Sequence, residues 1–135
     1  MFDRIKRLIK RTPAQVTGAA GEDLAAAELV NRGYTIIERN FRGRGGEIDI
    51  IARDGGELVF VEVKTRRNFR FGMPEEAVGK RKADCISRTA MDYWLQKRLR
   101  GLVVRCDIVS VMLFQDRPAE IVVFKDAVSL KGNFF

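Results

Sequence analysis

Histidine is absent from the 135-residue chain. That removes Ser-His and Cys-His nucleophile pairs, two-His zinc helices, His-containing metal fingers and any histidine general base. Cysteine is scarce: Cys85 and Cys106 stand 21 residues apart with no CxxC, supporting neither a disulfide framework nor a zinc site, and both read as reduced, buried thiols. With 3 Pro and 12 Gly, neither a disordered nor a collagen-like chain fits. No apolar run approaches the ~20 residues of a membrane span. Charge runs through MFDRIKRLIKR, where a signal peptide would need an apolar stretch. A cytoplasmic protein without a membrane span is therefore expected. What is present is 46% hydrophobic residues, and Lys+Arg 25 against Asp+Glu 18, a net charge of +7. This suits one small, basic domain with a core of its own.

Residues 1–16 read as a basic N-terminal arm, with Phe2, Ile5, Leu8 and Ile9 at helical spacing among Arg and Lys, and with Thr12-Pro13 ending the periodicity. It is either a frayed tail or a contact for phosphate or a membrane surface. Residues 17–135 form a single α/β domain. Its first helix is expected from Thr17, as N-cap, to about Arg32, with Gly33 as the stop. Gly18, Ala19, Gly21, Ala25, Ala26 and Ala27 let it lie close to a sheet while Glu22 projects. Strands follow at Tyr34 to Phe41, Glu47 to Arg53 and Glu57 to Thr65, the last two joined as a hairpin by Asp54-Gly55-Gly56. Pro74 is placed to open a long helix running to about Leu99 and stopped by Gly101. Two more strands, Leu102 to Phe114 and Ala119 to Val128, complete a central mixed β-sheet flanked by α-helices.

The third strand, LVFVEVKT, is apolar on both faces except at Glu62 and Lys64, which alternation places on one side with Leu58 and Phe60. A charge at the end of a partly covered face marks the floor of a cleft, because burying it uncompensated is costly. One strand earlier, GGEIDII sets Asp49 among isoleucines, and the hairpin brings it towards Glu62. Two carboxylates on an apolar scaffold suit a hard divalent cation, Mg²⁺ or Mn²⁺. Lys64 is then placed to hold a water or a phosphate oxygen. The competing reading is a purely structural cluster in which Glu62 and Lys64 form a salt bridge with Asp49 as third partner. Glu47 shares the face of Asp49 and either supports it or pairs with Arg42 or Arg44.

With Glu22 on the first helix, Asp49 closing GEID and EVK at Glu62 to Lys64, the sequence resembles the PD-(D/E)XK nuclease superfamily. The joined blocks GxxGEDLAAxxLxxxGY, NFRxxxGEIDIIA, LVFVEVKTR and PxEAV, spanning about Gly18 to Asp126, more closely resemble the small bacterial YraN family, related to archaeal Holliday-junction resolvases. That resemblance implies a restriction-endonuclease-like core with its site at one end of the hairpin. It implies Asp49 as principal metal ligand, Glu62 as second ligand, and the Val63 backbone carbonyl as a further one. Glu22 would complete the metal shell or order water, and Lys64 would assist the attacking water. The chain departs from the superfamily pattern in having Ile48, where proline is usual, before the aspartate.

Hydrolysis of a phosphodiester adds charge at the phosphorus oxygens, which a metal ion and Lys64 would stabilise without any histidine. The expected activity is metal-dependent endonuclease cleavage of DNA, with branched or Holliday-junction DNA as candidate substrates. The alternative is a non-catalytic nucleic-acid-binding or accessory scaffold that keeps the fold. Arg66, Arg67 and Arg70 after the ligands, and Lys80, Arg81 and Lys82 at the long helix, are the candidate nucleic-acid-binding residues. Phe69 and Phe71 either stack on bases or clasp the core. Tyr93 and Trp94 read as core or a dimer surface, and Asp107, a charge in an apolar strand, as a structural partner for a basic side chain. A homodimer would supply two sites for two strands.

Overall fold

A computed structural model of the protein describes residues 18–67 and 78–134. The N-terminal arm, Thr17, Phe69, Arg70, Phe71 and Pro74 lie outside them. The described elements are helix α1 (Gly18–Asn31), strands β1 (Thr35–Gly43), β2 (Gly46–Asp54) and β3 (Glu57–Arg66), helix α2 (Lys80–Gln96), and strands β4 (Val103–Met112) and β5 (Glu120–Val128). The strands form one sheet in sequence order, antiparallel except that β3 and β4 run parallel. A parallel neighbour needs a crossover, and α2 provides it.

The chain therefore has an α/β fold with a central mixed sheet between two helices. On one face α1 lays Leu24, Ala25 and Leu29 on Ile50, Ala52, Val59, Val61 and Val109. On the other, Ala90 and Tyr93 of α2 cover Phe41, Ile48, Ile51, Leu58 and Phe60. The Tyr93 ring meets Phe41 and Phe60 edge-on at 5.1 and 5.9 Å. Tyr93 and Trp94 are thus core. Leu58 through Val61 are buried on both faces, which is why β3 reads as an unbroken apolar run. Each such side chain taken fully out of water contributes about 1.5–3 kcal/mol before entropy is counted.

Helix α1 ends as its sequence predicts. Gly33 takes φ 95°, its N–H donates to Val30 O, and the Tyr34 N–H donates to Leu29 O, a Schellman stop. Helix α2 departs from expectation at both ends. Gly79 is extended and caps a helix that begins at Lys80. Glycine at that point costs a helix interior about 1 kcal/mol, enough to set a boundary. At the other end the stop is Arg98, not Gly101: Arg98 takes φ 52° and the Leu99 N–H donates to Trp94 O. Leu99 then packs against the α2-side core, which offsets the ~1–2 kcal/mol of a left-handed non-glycine residue. No helix among the described residues is long and apolar enough to cross a membrane.

At the far end of the sheet Asp107, fully buried, accepts from the Tyr34 hydroxyl (2.8 Å), Arg105 Nε (3.0 Å) and the Asp126 N–H (2.9 Å). Arg105 also pairs with Asp54 and Glu57. The aspartate in RCDIVSV thus has the basic partner expected of it. Neither cysteine is in a disulfide; Cys106 is buried, while Cys85 is only half-buried.

Candidate functional site

The site lies where two strands part. β2 and β3 pair only from Ile50–Asp54 to Glu57–Val61. Beyond that point β2 stays with β1 as far as Gly46, and β3 stays with β4 as far as Arg66. Glu47, Asp49, Glu62 and Lys64 all belong to the parted segments, and Asp49 sits in the fork. Its Oδ2 accepts a 2.8 Å hydrogen bond from the Val63 N–H, replacing the ladder partner that the separation removes.

Strict alternation fails at this fork. Ile48 packs on the α2 side, whereas Ile50 and Asp49 both lie on the α1 side, Asp49 facing Glu22 of α1. The neighbouring strand changes face in step, without losing register. Between Arg39, paired to Ile50, and Phe41, paired to Ile48, stands Asn40 with φ 55°. Arg39 reaches Asp23 of α1 at 2.7 Å, while Phe41 enters the α2-side core.

The structure gathers Glu22, Glu47 and Asp49, with one carboxylate oxygen from each lying within 4.8 Å of the others. Asn40 Nδ2 donates to Glu22 Oε1 and to Glu47 Oε1, both at 2.9 Å. Glu47 keeps a 3.4 Å pair with Arg42 as well, so both readings of that residue hold together. Burial pushes the Asp49 carboxyl up to about 7; Glu62 and Glu22 add to the rise, while the Val63 N–H and Lys82 oppose it.

Glu62, 5% exposed, lies outside this triplet. It is on the α2 side, where Lys64 Nζ at 3.3 Å and Lys82 Nζ at 3.4 Å meet the same Oε1. The salt bridge of the structural reading is therefore present, with a second lysine added from the first turn of α2. Lys82 reaches Glu62 while remaining exposed, as are Lys80, Arg81 and Arg67, and the Arg66 Nε is buried. Sequence reasoning missed the bridging role of Asn40. Its one signal was asparagine inside a strand, where that residue is depleted and tolerates a left-handed φ.

A fork in a mixed α/β sheet, lined by three converging carboxylates and flanked by two lysines, defines a protein with an acidic cluster set into a basic chain. Residues 21–111 match the profile described as "Uncharacterised protein family UPF0102", and the chain belongs to that family. Among its relatives, a UPF0102 protein of Syntrophus aciditrophicus is 48% identical over 114 residues, covering 84% of this chain and 89% of its own length. Another, from Geobacter sulfurreducens, is 48% identical over 105 residues, covering 77% and 82% respectively.

Proposed function

We propose that this protein is a divalent-cation-dependent endodeoxyribonuclease that hydrolyses phosphodiester bonds in DNA, with branched DNA such as a four-way junction among its candidate substrates. The observation that carries the reading is the convergence of Glu22, Glu47 and Asp49 within 4.8 Å at the fork. Three carboxylate oxygens are the hard donors that Mg²⁺ or Mn²⁺ prefers, so the donor set fits such an ion. Asp49, Glu22 and Glu47 would hold it, with the Val63 carbonyl as a further donor. Glu62 joins as a ligand only by exchanging its lysine partners. When bound, the ion supplies charge neutralisation at the phosphate and activates water at neutral pH.

The remaining work falls to the chain's own side chains. Lys64, on the α2 side of the fork, would stabilise charge developing on the phosphate oxygens and orient the attacking water on leaving Glu62. Lys80, Arg81, Arg66 and Arg67 supply positive charge for the flanking backbone, and Arg70 extends that series in the sequence. Cutting both strands would take two copies of such a site.

The test is scission of four-way-junction, flap, duplex and single-stranded DNA with Mg²⁺, Mn²⁺ or chelator, by the wild type and by Asp49→Asn. Metal-dependent cutting that is lost in the variant is the expected result. The double lysine pairing of Glu62 favours a second reading, a binding scaffold without catalysis. Salt-sensitive DNA binding with no scission in either protein would establish that instead.

A further inference from the structure

We infer that Asn40 is a positioning residue for the acid cluster: its amide ties Glu22 of α1 to Glu47 of β2 and sets the gap that receives the cation. The inference rests on the metal-dependent reading above. Both hydrogens of a primary amide sit on one nitrogen, and Asn40 Nδ2 lies 2.9 Å from each Oε1, so both donors are spent in one bridge between two elements. A neutral donor holds two carboxylates close together without cancelling the charge that attracts an ion. Lys64 and Lys82 do the opposite to Glu62, whose charge they neutralise. Arg39 and Arg42 also pair with Glu22 and Glu47, at 3.6 and 3.4 Å, but each touches one acid alone, so the bridge between the two elements is made by Asn40.

The backbone narrows the choice of residue. At φ 55° asparagine and aspartate are among the side chains best tolerated, and glycine takes the conformation freely. Aspartate would add a fourth carboxylate and offers no donor when ionised, and glycine has no side chain to bridge with. Asparagine alone satisfies both the left-handed backbone and the two-donor clip. The same residue turns Phe41 towards the α2-side core, so one position sets the strand's change of face and the spacing of the acids.

The experiment uses the full chain as wild type, Asn40→Gly and Asn40→Ala. Mn²⁺ is titrated by calorimetry into protein alone, and the Mg²⁺ dependence of DNA scission is measured alongside. Both variants should bind Mn²⁺ about 10–100-fold more weakly, the range for losing a group that orients a metal ligand. Half-maximal scission should need correspondingly more Mg²⁺, with the rate at saturating Mg²⁺ returning near the wild type. Urea unfolding should show Asn40→Gly fully folded. An Asn40→Gly protein that binds Mn²⁺ like the wild type, with only Asn40→Ala impaired, would mean that the position serves the backbone alone and would overturn the inference while leaving the metal-dependent reading intact. A wild type that takes up no Mn²⁺ would overturn both.

Discussion

The approach of α1 to the fork depends on Gly21, and Gly21→Ala tests it quantitatively. A Cβ on Gly21 would stand 2.1 Å from Thr65 Oγ1, 3.2 Å from Thr65 Cβ and 3.3 Å from its Cγ2. The first distance is more than 1 Å short of the ~3.5 Å optimum for non-bonded contacts. Rotating Thr65 relieves the hydroxyl clash but leaves its Cβ tight, so helix and strand must separate. Overpacking of this kind costs about 1–3 kcal/mol, set against up to ~1 kcal/mol gained when alanine replaces glycine in a helix. A net loss of about 1–2 kcal/mol is expected, with Glu22, the next residue, drawn away from Asp49 and Glu47. Thr65→Ala removes the two outer atoms. In the double variant the new methyl should therefore be accommodated, and the two substitutions should couple favourably by about 1–2 kcal/mol. Urea unfolding of the wild type, both single variants and the double variant completes the cycle. A Gly21→Ala protein more stable than the wild type, or strict additivity of the two changes, would refute the close-approach argument.

Asp49 makes the metal-free protein's stability pH-dependent. Its carboxyl titrates near 7 when folded against 3.8 as the reference value. Its contribution is therefore full below the lower value and is lost as pH rises through the higher one. Asp49→Asn, which keeps an acceptor for the Val63 N–H, should gain on the wild type as chemical denaturation is repeated from about pH 4 to about pH 8 in chelator. At the opposite end of the sheet, Tyr34→Phe removes one donor to buried Asp107 and should cost about 1–2 kcal/mol. Asp107→Ala breaks the pair with Arg105 and should cost about 3–5 kcal/mol in the same assay. Gly45→Ala would put a Cβ 2.1 Å from the Cys85 carbonyl oxygen, a backbone atom that cannot rotate aside, so the urea midpoint should drop as the β1–β2 turn lifts from α2.

The parts of this fold that could be read from sequence are those fixed by local chemistry. The five strand segments, the Gly33 stop and the Asp54-Gly55-Gly56 turn follow from alternation and turn residues acting within a few positions. What failed locally was overruled by packing. Gly101 looked like the end of α2, but seating Leu99 in the core was worth more than using a glycine for the left-handed residue. At the site, Asp49 and Glu62 stand out by residue type and spacing and Glu22 by the family resemblance; Glu22 and Asp49 do meet, but the third acid beside them is Glu47 and not Glu62. Their grouping was not legible, because a period-of-two pattern assumes a continuous strand. The change of face at Asn40 and Asp49 turns Asp49 to the α1 side, whereas alternation along β3 keeps Glu62 on the α2 side. The pairing of Lys82 escaped for a related reason: nothing within α2 says which of three consecutive basic residues reaches Glu62.

The fork explains why the choice of substitution at Asp49 matters. Separating two strands leaves backbone donors without partners, and an unpaired buried N–H costs about 1–3 kcal/mol. Asp49 spends one oxygen on the Val63 N–H, leaving the other for the cluster, so one side chain both pays for the opening and equips it. Asp49→Ala therefore removes a structural bond together with the charge, and an inactive alanine variant would not separate the two losses. Asp49→Asn removes only the charge. At acidic pH, where Asp49 is protonated in the folded wild type, the asparagine variant should match wild-type stability while the alanine variant falls below both by about 1–3 kcal/mol. If alanine and asparagine unfold together in urea at that pH, the Val63 bond carries no weight and the fork is held open by the packing of α1 and α2 alone.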